Sequence, residues 1–281
     1  MFSYRHGFHA GNHADVLKHV VLVQLLAHLT VKETPLWYVD THAGAGTYSL
    51  SSTFAQKKSE FKDGIGRLWG RNDLPPALEE YLIQVKKINK DETLRGYPGS
   101  PQIALQMLRQ QDRLQLFELH GTEREVLQKQ YASVTRRVSV QPKDGFAGLK
   151  GVLPPLSRRG LVLLDPSYED KADYARVIET MRDAMRRFAT GVYAVWYPQV
   201  RRQESQDLPG QLKRLAGDDW LHASLKVRAP SRDGLGLHGS GMFVFNPPWK
   251  LDAALGAALP ALVRLLGQDR DASYSLKSNL T

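Results

Sequence analysis

Apolar residues near the start of the chain fall at helical spacing. Val16, Leu17, Val20, Val21, Leu25 and Leu29 predict a helix from Asn12 or Ala14 to about Thr30. The pattern then breaks into short apolar runs. Leu36–Asp40 reads as a strand ending in the turn Thr41-His-Ala-Gly-Ala-Gly46, and further strands are expected at Leu114–Glu118, Val138–Gln141 and Leu161–Leu164. The last of these is continuously apolar, as in a strand covered on both faces. Ser100 as N-cap and Pro101 at the first helical position open a helix through Leu108. A helix over Tyr174–Phe188, a strand over Gly191–Trp196, and a final strand pair around Leu221–Val227 and Met242–Phe245 complete the series. Strands that alternate with helices imply right-handed crossovers and an α/β fold with a doubly wound parallel sheet.

Ligands in such sheets sit beyond the carboxyl ends of the strands, where the strand order reverses. Each strand end here carries polar chemistry. Gly44 and Gly46 let the backbone approach a ligand closely, although a Gly-x-Gly turn alone is a weak signal. Glu118 is placed to accept hydrogen bonds from ribose hydroxyls, or simply caps its strand. In an uninterrupted nucleotide-binding unit such an acid follows the glycines by about 20 residues; here the separation is 74. The stretch Phe54–Asn89 has no strand candidate and contains Gly64, Gly66, Gly70 and Pro75-Pro76 between short helical patterns, so it reads as an insertion. The expected division is 1–53 and 97–281 for the sheet domain and 54–96 for a helical insertion subdomain. Asp144, in Lys143-Asp144-Gly145, suits the amine of a bound adenine moiety and equally suits an ordinary Asp-Gly turn.

Asp165-Pro166-Ser167-Tyr168 after the fourth strand carries the most chemistry. The N6 amine of adenine is a poor nucleophile because its lone pair is delocalised into the ring. The Asp165 carboxylate and the Pro166 carbonyl can accept from its two protons, proline fixes the backbone, and Tyr168 can stack on an extruded base. Asn246-Pro-Pro-Trp249 holds similar groups but follows a late strand, nearer a sheet edge, and is expected to shape a substrate channel or end its strand.

Composition narrows the classes. The 281 residues are 42% hydrophobic, which permits a sizeable core, and no apolar run approaches 18 residues. No secretory signal pattern is present and cysteine is absent, so disulfides and thiolate chemistry are excluded and a cytoplasmic protein is expected. A formal charge of +9, spread over basic pairs such as Lys86-Lys87 and Arg201-Arg202, favours a folded surface that meets a polyanion. Six of the nine histidines lie in the first 42 residues, but His9 and His13 lack the glutamate of an HExxH helix, and no metal is expected. Tyr4, Arg5 and His6 instead read as facing substrate, with Lys18 and His19 facing a cofactor's anionic or polar end.

Tyr4-Arg-His6, the run Phe8–His19, Asp40–Gly46, Tyr97-Pro-Gly-Ser-Pro101, Asp165–Glu169 and Trp196-Tyr-Pro198 together resemble the bacterial large-subunit rRNA adenine-N6 methyltransferase J family. The resemblance implies a Rossmann-like class I methyltransferase domain with a small helical insertion. It implies S-adenosylmethionine as cofactor and an adenine of naked or partly assembled 23S rRNA as substrate. It further implies that His19, His42, Ser100, Glu118, Lys143, Asp144 and Asp165 line the cofactor site and that Tyr4 handles substrate. Ser167 stands where the family has proline, which removes one fixed φ from the loop. A monomer is expected. Competing readings are an adenine-N6 DNA methyltransferase, a glutamine methyltransferase built on Asn246, and a non-catalytic RNA-binding assembly factor. The absence of a Gly-x-Ser-x-Gly elbow and of a Walker loop argues against hydrolases and NTPases.

Overall fold

The structure is a computed structural model and describes residues 6–231 and 236–280. Its first long helix, α1 (His13–Leu29), is capped by Asn12, whose side chain accepts from the N–H groups of Ala14 and Asp15. Val16, Leu17, Val20, Val21, Leu22, Val23, Leu25 and Leu26 are all buried. A helix buried around most of its circumference belongs inside a fold, and α1 lies between the sheet and the helices outside it.

From β1 (Trp37–Asp40) the chain passes through β2 (Thr47–Ser49), α2 (Thr53–Lys58) and α3 (Pro76–Lys86), and returns as β3 (Gly96–Pro98), antiparallel to β2. The helical stretch between β2 and β3 does not have a core of its own. Ile65, Leu68, Leu78, Tyr81 and Val85 belong to the same buried cluster as α1. Next come α4 (Ser100–Met107), β4 (Arg113–Phe117), α5 (Gly121–Tyr131), β5 (Val138–Gln141), α6 (Gly145–Leu149), β6 (Gly160–Leu164) and α7 (Ala172–Arg187). The chain continues through β7 (Val192–Gln199), α8 (Gln203–Ala216), β8 (Trp220–Lys226), β9 (Gly239–Phe245), α9 (Leu251–Leu266) and β10 (Ser273–Asn279).

The main sheet has the order β10-β8-β9-β7-β6-β1-β4-β5. Strands β1, β4, β5, β6 and β7 are parallel, whereas β9 runs against both its neighbours and β10 runs against β8. The sheet is therefore mixed, not wholly parallel as expected. Lys226 at the end of β8 lies opposite Gly239 at the start of β9, so β9 folds back antiparallel beside β8. The five parallel strands with the antiparallel β9 form a Rossmann-like mixed α/β sheet, with β10 added at one edge. The chain leaves β1 towards β4 on one side, and β6 lies on the other. That reversal opens a crevice at their carboxyl ends.

The opening of α4 differs from expectation. Gly99 is the N-cap and Ser100 the first helical residue. The Ser100 hydroxyl donates to Asp40 Oδ2 at 2.7 Å, because a buried carboxylate is a better partner than a helix end.

Candidate active site

A cavity of about 920 Å³ occupies the crevice at the carboxyl ends of β1, β4, β5 and β6. Its floor begins at β1. Asp40 is fully buried and accepts from Tyr38 Oη at 2.8 Å, from Ser100 and from the His42 N–H; burial still holds its carboxyl above the usual range. Gly44 follows with φ of +62°, and a Cβ there would collide with the Tyr48 hydroxyl. Its N–H donates to Glu118 Oε2 at 2.7 Å, while Glu118 Oε1 accepts from His120 N–H at 2.7 Å. The glycine turn and the acid after β4 are thus one structure despite their separation of 74 residues. Burial pushes Glu118 upward.

Gly46 is not brought to the cavity wall. It has φ of +79°, and its carbonyl accepts from Gly99 N–H at 2.8 Å. A Cβ there would come within about 3.1 Å of Leu127, Gln130 and Tyr131, so this glycine serves the packing of α5. Lys143 is exposed and also outside the lining. Asp144 lines the cavity, caps α6 by accepting from Phe146 N–H at 2.9 Å, and pairs through Oδ2 with Arg176 Nη2. The Arg176 guanidinium also lies 4.3 Å from the centre of the Phe146 ring, which meets His42 edge-on at 4.8 Å.

At the far wall His19 is buried, with Nδ1 2.7 Å from Tyr97 Oη and Nε2 left without a partner. Burial lowers its pKa to about 3, and that of His42 to about 4, so both rings are neutral at pH 7. Lys18 does not reserve its charge for a ligand. Its Nζ lies 2.8 Å from Asp15 Oδ1 and 2.6 Å from Asp165 Oδ2, since a buried ammonium requires counter-charge. The chain extends to His6, whose Nε2 is 2.9 Å from Asp15 Oδ2. Burial opposes ionisation of Asp15, but His6 and Lys18 outweigh it and hold the carboxyl well below its ordinary value. Asp165 behaves oppositely. Burial raises it to about 6 although Lys18 pulls it down.

Lys18 takes Oδ2 of Asp165, and no described residue donates to Oδ1 or to the Pro166 carbonyl. Tyr168 lines the cavity but is only 3% exposed, and its hydroxyl donates to the Trp196 carbonyl at 2.7 Å. Its φ of +54° is unusual for a bulky side chain. Arg202 Nη1 braces the bend by donating to the Tyr168 carbonyl at 3.0 Å. Tyr4 and Arg5 lie outside the described residues.

Asn246 sits at the other end of the sheet. Phe245, the last residue of antiparallel β9, pairs with Tyr193 at the start of β7. Its Nδ2 donates to Ala189 and Gly191 carbonyls, both at 2.7 Å, so the element terminates a strand and shapes no channel.

A profile of the family described as Ribosomal RNA large subunit methyltransferase D, RlmJ, matches residues 33–277. The chain belongs to this family. Ribosomal RNA large subunit methyltransferase J of Escherichia coli K12 is 47% identical over 262 residues, covering 93% of each chain. The protein of the same name from Haemophilus influenzae is 44% identical over 278 residues, covering 99% of this chain and 98% of its own. A crystal structure of a Legionella pneumophila protein superposes with a TM-score of 0.89 at 37% identity, covering 96% of this chain and 98% of that one. The Haemophilus match extends through nearly the whole chain, which includes most of the N-terminal run outside the family profile.

Asp15, Tyr97, Arg176, Arg202 and Trp196 escaped assignment from sequence. Tyr97 and Trp196 stand in runs that carry the family resemblance, and Asp15 carried a local signal, an acid three residues before Lys18 on a mostly apolar helix.

Proposed function

We propose that this protein uses S-adenosylmethionine to methylate the N6 amine of a specific adenine in naked or partly assembled 23S rRNA. The observation that carries the reading is the Asp165-Pro166 loop. It offers two acceptors to which no described residue donates, on the same cavity as the Gly44–Glu118 turn.

The donor set suits the cofactor. Glu118 would take ribose hydroxyls, Asp144 the adenine amine, and the unpartnered His19 Nε2 a polar group of the amino-acid end. His42 and Phe146 would flank the adenine ring, and Gly44 leaves room for close backbone approach. Ser100 acts through Asp40, which it holds beneath the glycine turn. Gly46 and Lys143 are given no contact. When bound, the cofactor supplies an electrophilic methyl group.

The residues of the chain prepare the nucleophile. Asp165 Oδ1 and the Pro166 carbonyl would accept from the two amine protons and draw the nitrogen lone pair out of conjugation. Lys18 fixes the carboxylate through its other oxygen, so the acceptor needs no reorganisation at the moment of transfer. Tyr168 is held too tightly at its hydroxyl to move freely, and its role is to present one wall to the base. His6 would couple substrate contact to the Asp15–Lys18–Asp165 chain, with Tyr4 and Arg5 preceding it. In this reading 54–96 is a helical insertion within a methyltransferase domain, and the enzyme is a cytoplasmic monomer.

The test is methyl transfer from labelled S-adenosylmethionine to protein-free 23S rRNA, followed by nucleoside analysis. N6-methyladenosine at one position is expected; label in another nucleoside, or in none, would refute the assignment.

A further inference from the structure

We infer that the arm of the cavity beyond the Asp165 loop is a phosphate subsite for the substrate RNA, built on the Arg228 guanidinium. This rests on the RNA methyltransferase reading above. The cavity does not end at Asp165. It continues along Trp196, Pro198 and Val200, past the end of β7, to Arg228, Leu237 and Gln268. Arg228 is there because β8 ends at Lys226, paired with Gly239 at the start of β9, while Val227 N–H donates to the His238 carbonyl at 2.9 Å. The base of this hairpin stands at the same end of the sheet as the Asp165 loop.

The other cations on the wall are already engaged. Lys18 is held by two carboxylates, Arg176 pairs with Asp144, and Arg202 donates to the Tyr168 and Glu169 carbonyls. Arg228 differs. Its recorded bond is a single donation from Nη2 to the Leu237 carbonyl at 3.2 Å, and no described carboxylate pairs with it. A guanidinium has five N–H donors in a planar fork that matches two phosphate oxygens. Lys226 and Arg201 are further cations near the same ring, His238, that Arg228 acts on. Burial lowers His238, and Lys226, Arg228 and Arg201 lower it further. His13 lines the same arm, is 7% exposed, and keeps a buried Nδ1 with no partner. The acids nearest His13 are Glu60 and Asp15; Glu60 is engaged by His9 and Asn12, and Asp15 by His6 and Lys18. An RNA whose target adenine reaches Asp165 must carry its neighbouring phosphates past this arm, and phosphate is the anion that chain supplies.

The test compares wild type with Arg228→Gln and Arg228→Lys for rRNA affinity by filter binding at several KCl concentrations, and for methyl transfer. Arg228→Gln should weaken RNA binding about tenfold and make the salt dependence shallower by about one phosphate. Its Kd for S-adenosylmethionine should be unchanged, which also shows that it folds. Arg228→Lys keeps the charge and loses the fork, so it should fall between. If Arg228→Gln binds and methylates RNA with wild-type affinity and salt slope, the subsite is refuted and the methyltransferase assignment stands. If the wild type leaves RNA unmethylated, both are refuted.

Discussion

Lys18 and Asp165 are 147 residues apart, yet Nζ and Oδ2 approach to 2.6 Å at the centre of the cavity. The lysine is 4% exposed and also holds Asp15. Removing one member of a buried pair leaves an uncompensated charge, at a cost of about 3–5 kcal/mol. Lys18→Met should therefore lower the melting temperature by several degrees, as seen by calorimetry, and reduce methyl transfer at pH 7. Wild-type melting and rate in that variant would contradict the pairing.

Asp165 is a strong acceptor for an amine proton when ionised, whereas protonation leaves it a weaker acceptor and places a donor on the carboxyl. Burial raises its pKa from 3.8 to about 6. The ionised fraction then rises from half near pH 6 to about nine-tenths near pH 7. The single-turnover rate should climb through this window and level off above it. Lys18 opposes the upward shift, so any activity left in Lys18→Met should climb at higher pH than in the wild type. A wild-type rate that is flat from pH 5 to 8 would remove Asp165 from the reaction. Stability follows the opposite sign. With the folded pKa above the unfolded value, ionisation of Asp165 disfavours the fold, and its contribution declines as pH rises from about 4 to 6.

Arg176 is a positioning residue for Asp144 and Phe146. The Arg176 and Asp144 side chains are 41% and 32% exposed, so solvent weakens the pair. Arg176→Gln should raise KM for S-adenosylmethionine roughly three- to tenfold with kcat nearly unchanged. A fall in kcat at constant KM would show that Arg176 acts on the methyl-transfer step instead.

Asn246 should matter for folding and not for chemistry. Asn246→Ala removes two hydrogen bonds to the Ala189 and Gly191 carbonyls, worth about 1–2 kcal/mol together. Denaturant unfolding should register that loss while kcat stays at its wild-type value. Loss of kcat in a folded Asn246→Ala protein would revive the Asn-Pro-Pro-Trp element as a reactive loop.

The buried strands were legible because their apolar runs depend on burial alone, as with Leu161–Leu164 at the sheet centre. β10 was not. Ser-Tyr-Ser-Leu-Lys-Ser-Asn pairs at an edge and stays largely exposed, so burial imposes little pattern on it. The direction of β9 depends on a hairpin whose strands look the same in either sense. In the site, Asp165 and Glu118 were legible because each follows a strand directly, and Gly44 and Asp144 because each lies in the turn after one. Lys18, Arg176 and Arg202 owe their partners to tertiary contacts across 32 to 147 residues, which no local pattern records. Gly46 shows the converse error. A glycine two residues beyond the useful one serves packing against α5, and spacing cannot distinguish the two.

The most direct measurement compares wild type, Asp165→Ala and Asn246→Ala for methyl transfer to protein-free 23S rRNA beside duplex DNA of matching sequence. The prediction is N6-methyladenosine in RNA alone, made by wild type and Asn246→Ala and abolished in Asp165→Ala while S-adenosylmethionine still binds. Methylation that survives Asp165→Ala, or that falls on the DNA instead, would contradict the account.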